Sequence, residues 1–128
     1  MVVIFINCKK QPFIDRIIRF EKEYETRNRN TLGRFIGERV LLAETGHGSP
    51  IIRCSAVIRT VVYVRDEKIY RQFFPHLGID SRSGYDWQPD TKVKYLYGLS
   101  DVRSVSPFPL PASCRRHGRI WAEYEGSV

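Results

Sequence analysis

The sequence predicts a mixed α+β domain: a small, partly closed β-barrel with two helices at its flank or mouth. Three observations lead there. Five or six short β-type runs alternate with two amphipathic helical stretches, one β-branched run over Ile51–Val64 is too long for an ordinary strand, and 128 residues suffice for about one domain, 1–128.

Val2, Val3, Ile4, Phe5 and Ile6 form an apolar run that reads as a buried strand. Lys9, Lys10, Gln11 and Pro12 break it, and Pro12 suits the first turn of a helix. Phe13, Ile14, Ile17 and Ile18 then recur with helical period, with Asp15, Arg16 and Arg19 on the opposite face. Arg39–Thr45 reads as a second buried strand, closed by the turn Gly46-His47-Gly48-Ser49-Pro50. The long run after it should bend or bulge, as at a barrel corner. Asp66 is placed to cap a second helix with Ile69, Tyr70, Phe73 and Phe74 as its buried stripe and Pro75 as its stop. Residues 76–93 are irregular, and a loop of that length in a compact domain is usually functional or mobile. Residues 94–101 read as a strand, Pro107, Pro109 and Pro111 as an extended crossing segment, and residues 119–124 as the last strand.

The formal charge is +7 and the pI 9.6, which attracts polyanions. Arginine carries most of that charge, and its planar fork suits phosphates and base edges. The charge therefore favours nucleic acid or a nucleotide as partner over a membrane surface. No apolar run approaches the roughly 20 residues of a bilayer-spanning helix. The first ten residues place their charges after the apolar run, unlike a secretory signal. Cys8, Cys54 and Cys114 are widely spaced and odd in number, so reduced thiols and a cytoplasmic location are expected. His47, His76 and His117 share no metal-ligand spacing with each other or with cysteine; neither a metal nor a cofactor is expected. Gly46-His47-Gly48 lacks the lysine and helix start of a phosphate loop.

The chemistry concentrates in FEKEYETRNRN, residues 20–30, where eight of eleven side chains are charged or amide. If residues 23–29 are extended, Glu23, Glu25, Arg27 and Arg29 share one face, with same-face neighbours about 7 Å apart. Glu25 and Arg27 then pair or grip a small ligand, and a helix-to-strand turn aims Lys22 at the same place. By composition alone the competing reading is an edge strand guarded by solvated charges.

Lys22, Glu25 and Arg27 within FEKEYETR resemble the signature of ASCH domains, Gly-x-Lys-x-x-Glu-x-Arg. Gln-Pro-Phe opening the helix, Gly37-Glu38-Arg39-Val40 opening a strand, the aromatic strand KYLYGLSDV and the segment PFPLP also resemble that family, over roughly residues 2–111. The resemblance implies a PUA-like fold, a small mixed β-barrel with flanking helices, and a cleft at the barrel mouth lined by the motif residues. It implies binding of RNA or nucleotides. The alternative it carries is a small hydrolase of modified nucleosides or RNA, with Lys22 and Glu25 as catalytic residues. In the small amidohydrolase members a threonine stands where this sequence has Glu25, and a carboxylate cannot serve as a hydroxyl nucleophile. Phe20 replaces the signature's glycine, so either the helix ends differently or Phe20 packs inward as a last helical contact.

Other candidates are weaker individually. Trp87, near Tyr85 in a polar loop, either stacks on a base or plugs the open end of the barrel. Tyr95, Tyr97 and Leu99 share a face that reads as core, with the Tyr97 hydroxyl available to a cleft wall. Arg115, Arg116, Arg119, Lys9 and Lys10 are candidate phosphate contacts.

Overall fold

Unbroken apolar character in a short strand means that both its faces are covered, and the first strand is central in this way. The structure is a computed structural model that describes residues 1–126. In β1 (Val2–Asn7), Ile4 and Ile6 enter one apolar core while Val3 and Phe5 enter a second on the other face. Each such side chain contributes about 1.5–3 kcal/mol through burial. The chain continues through α1 (Phe13–Ile18), β2 (Tyr24–Arg27), β3 (Arg39–Thr45), β4 (Ile51–Val64), α2 (Glu67–Phe73), β5 (Lys94–Pro109), β6 (Arg115–His117) and β7 (Trp121–Glu123). The strands form one sheet in the order β2-β5-β4-β3-β1-β7-β6. β1 pairs in parallel with β3 and antiparallel with β7.

The expected barrel is not closed. β2 and β6 end the sheet, and among the described residues no ladder joins them. A side chain spans part of the opening instead. β7 pairs with β1 over Val2 to Ile4, and the Phe5 N–H still reaches the Ile120 carbonyl at 3.0 Å before the β6–β7 turn peels away. The N–H and C=O of one strand residue point the same way, so the Phe5 carbonyl faces that opening. It accepts from Arg27 Nη2 of β2 at 2.9 Å.

The bend expected in β4 is present as register shifts against β5 at Ile52/Cys54, Ser55/Val57 and Ile58/Thr60. Two expected boundaries and two expected burials differ. β5 runs on through Pro107 and Pro109, because β2 covers only Tyr95 to Gly98 and leaves the rest of that edge unpaired, where proline is tolerated. The expected last strand is the second arm of a hairpin, β6–β7, turned at Gly118. In α2, capped by the Asp66 carboxylate as expected, Tyr70 is buried but Ile69 is 45% exposed. Arg16, expected on an outward face, is mostly buried: it donates to Gly78 O and Gln11 Oε1, each at 2.9 Å. The loop that follows α2 is organised by the buried Asp86, which accepts from Arg82 N, Trp87 N and Arg71 Nη1 at 2.9, 2.7 and 2.9 Å.

Phe20 satisfies neither expectation. The end of α1 has the two hydrogen bonds of a Schellman turn, Phe20 N to Ile17 O at 3.1 Å and Glu21 N to Arg16 O at 2.8 Å. Phe20 sits at its left-handed position with φ 62°, where the signature's glycine would stand, and its ring is 72% exposed. A side chain there costs about 1–2 kcal/mol and recovers little by burial. Phe20→Gly is expected to stabilise the protein by about 1 kcal/mol, read as a higher urea midpoint at unchanged slope. A lower midpoint would show that the exposed ring contributes packing.

Candidate functional site

The Schellman turn has a consequence two residues on. The Lys22 N–H also donates to Arg16 O at 3.1 Å, and the side chain turns inward, only 1% exposed. Its ammonium donates to the Leu77 carbonyl at 2.6 Å, lies 3.8 Å from Glu25 Oε1 and sits 4.8 Å from the Phe13 ring centre. Burial lowers this amine from 10.5 to about 8, against the opposing pull of Glu25. Its stem packs on Gly78, where a Cβ would meet Lys22 Cβ at 2.5 Å.

Glu25 follows on β2, nearly buried, and Arg27 Nε donates to its Oε2 at 3.0 Å. Lys22, Glu25 and Arg27 therefore form one chain of charges with a single carboxylate between two cations. They converge on a cavity of about 410 Å³. It lies at the opening of the sheet, between the end of β1 (Phe5, Ile6, Asn7) and β2. Phe13 and Tyr85, in edge contact at 4.9 Å, form its apolar wall. The β6–β7 turn brings Arg116 and Arg119 to it. The ion pairs of that hairpin use Arg115 and His117, both to Glu123, at 3.7 and 2.7 Å. Arg116 lies over the Phe5 ring instead, at 5.9 Å. Glu25 is the one carboxylate among the described lining residues, against Lys22, Arg27, Arg116 and Arg119.

Two sequence candidates lie elsewhere. Trp87 is part-buried against Tyr70, ring centres 5.3 Å apart, and does not line the cavity. Tyr85, two residues earlier, does line it, packed edge-on against Phe13. Tyr97 is fully buried; its hydroxyl donates to Asn30 Oδ1 at 2.7 Å and accepts from Leu32 N at 3.2 Å. It braces the loop after β2 from the core. Lys9, Lys10, Glu21, Glu23 and Arg29 are exposed. Sequence reasoning passed over Asn7, Phe13, Thr26 and Thr45, which also line the cavity. Asn7, Phe13 and Thr45 come from β1, α1 and β3 and meet there only through the fold, whereas Thr26 lies within the motif stretch itself. Among the described residues no cluster of His, Cys, Asp and Glu suits a metal ion, and no helix is long and apolar enough to cross a membrane.

The buried amine makes stability depend on pH. Its folded value near 8 lies below the unfolded value of 10.5, so between them the unfolded chain holds more protons. Stability is therefore expected to rise as pH increases from about 8 to 10.5, and Lys22→Met should flatten that rise; urea midpoints at pH 7.5, 9 and 10 test this. Gly78→Ala, which meets both a φ of +59° and the Lys22 stem, is expected to cost about 2 kcal/mol or more. Thermal unfolding of the variant measures it.

No family profile and no curated protein matches the sequence. Solved structures do match the fold. The crystal structure of ASCH from Zymomonas mobilis superposes with a TM-score of 0.70 at 17% identity, covering 85% of this chain and 73% of that one. A serine-to-alanine variant of that protein gives 0.68 at 17% identity, covering 84% and 72%. A tyrosine-to-phenylalanine variant gives 0.68 at 18%, covering 85% and 75%. At such identity the likeness concerns architecture, and the architecture of this chain is that of an ASCH domain.

Proposed function

We propose that the chain binds RNA or a nucleotide-like ligand in the cavity at the sheet opening, held by Lys22, Glu25 and Arg27. The observation that carries this reading is the excess of cations there, four against one carboxylate, with Arg116 and Arg119 outside the ion pairs of their hairpin. The volume of about 410 Å³ falls within the range of small-ligand pockets. Lys22 has three donors, of which the Leu77 carbonyl takes one, so the ammonium retains N–H groups for a phosphate or a base carbonyl. Glu25 orients Arg27 and keeps lone pairs for base-edge donors. Arg116 and Arg119 supply phosphate contacts, and the Phe13–Tyr85 wall supplies an apolar face for a ring. The likeness to ASCH structures, a PUA-like architecture, is consistent with RNA binding.

A second reading, a small hydrolase of modified nucleosides or RNA, draws on one specific feature: a buried amine brought down to about 8 beside a carboxylate. Glu25 would take a proton from water as it attacks, and protonated Lys22 would stabilise the oxyanion that forms. The contact from Arg27 to Glu25 competes with the base role, which makes binding the better-supported function.

Fluorescence binding of nucleotides and short RNAs at two salt concentrations tests the first reading. The Lys22→Ala, Arg27→Ala double variant, checked for folding by circular dichroism, is expected to lose at least tenfold in affinity; unchanged affinity rejects the site. Arg116→Ala with Arg119→Ala should lessen the salt dependence by up to about two counterions. Affinity for an anionic ligand should fall as pH rises through about 8, where Lys22 loses its charge. Incubation with acylated nucleosides and short RNAs, read by mass, separates the two readings: absence of turnover leaves binding.

A further inference from the structure

One row of side chains leads from the cavity to the surface. Arg27 on β2 lies opposite Tyr95 on β5, and Tyr95 lies opposite Tyr63 on β4. Directly opposed residues project from the same face of a sheet, with strands about 4.8 Å apart. The row therefore begins at the cavity wall and crosses two further strands. Tyr95 is half-buried and Tyr63 is 53% exposed. Their ring centres are 5.1 Å apart and the Arg65 guanidinium lies 5.9 Å from the Tyr63 ring centre. The free end of the row is thus an exposed aromatic surface carrying a cation, two strands away from Arg27 in the cavity wall.

We propose that Tyr63 and Tyr95 form a stacking ledge for a single-stranded polynucleotide whose neighbouring nucleotide occupies the cavity, an inference that rests on the binding function above. The ledge makes the ligand a strand and not a free mononucleotide. Any base presents a π face to a tyrosine, so the ledge lengthens the contact without adding sequence selectivity. Arg65 meets the accompanying phosphate, and the net charge of +7 favours the polyanion. The β6–β7 turn, with Arg116 and Arg119, stands at the opposite wall, so the strand has cations on both sides of the inserted nucleotide.

The test compares fluorescein-labelled hexamers of A, C, G and U with the corresponding mononucleotides, the latter read by calorimetry. The best hexamer is expected to bind at least about fivefold tighter than its mononucleotide, the lower end of one base–aromatic stack. Tyr63→Ala should remove that gain while leaving mononucleotide affinity unchanged. Tyr63→Phe, which keeps the ring, should retain it, and Arg65→Ala should lower the salt slope for the hexamer by about one. A hexamer no tighter than its mononucleotide, or a Tyr63→Ala variant that binds the hexamer as wild type does, overturns the ledge. If mononucleotides bind in a Lys22-dependent way while hexamers gain nothing, the ledge alone fails. If wild type binds neither probe, the ledge falls together with the binding function.

Discussion

One ammonium group taken out of water is the constraint around which the remaining structure is arranged. A buried lysine without partners is costly enough to discharge itself. Burial brings Lys22 down to about 8 while Glu25 opposes the shift, and the Leu77 carbonyl and the face of Phe13 complete its surroundings. Those partners must in turn be held. Arg16 ties the same loop through Gly78 O and Asp80, while Gln11 accepts from Asp80 N. Gly78 lacks a side chain because the Lys22 stem occupies that space. Even the turn at Phe20 is explained by the need to bring Lys22 inward two residues later.

The same burial distinguishes a gathered set of charges from a solvated edge. β2 is an edge strand, the place where guarding charges are usual. Guarding charges point outward, as Glu23 does beside His76. Lys22, Glu25 and Arg27 instead have side chains 1%, 10% and 18% exposed. Opposite charges held in so little water cost desolvation that a protein guarding an edge has no need to incur.

Features with a local cause are legible in the sequence. The period of α1, the capping Asp66, the glycine turn after β3 and the overlong β4 all depend on neighbours within a few residues. The motif was legible for the same reason, since a turn and a short strand fix three side chains close in sequence. What escaped depends on contacts between distant residues. The missing barrel closure follows from where β7 leaves β1, and the Arg27-to-Phe5 contact fills that gap. Trp87 and Tyr85 are alike in sequence context, and only their distant partners, Tyr70 for one and Phe13 for the other, separate them. Tyr97 lies on the motif's side of the sheet but is used by Asn30 and Leu32.

The cavity also has a place in the order of folding. Its walls come from β1, the turn after α1, the loop at Tyr85 and the β6–β7 turn, so its lining stretches from Phe5 to Arg119. The pairings of β4 with β5 and of β3 with β4 join segments nearer in sequence, whereas β7 must return across nearly the whole chain to reach β1. Contacts of such separation form after the closer ones, because the entropy of closing the long loop must be met first. A chain still lacking its β6–β7 hairpin would thus already carry the charges of β2, yet have no chamber to enclose a ligand.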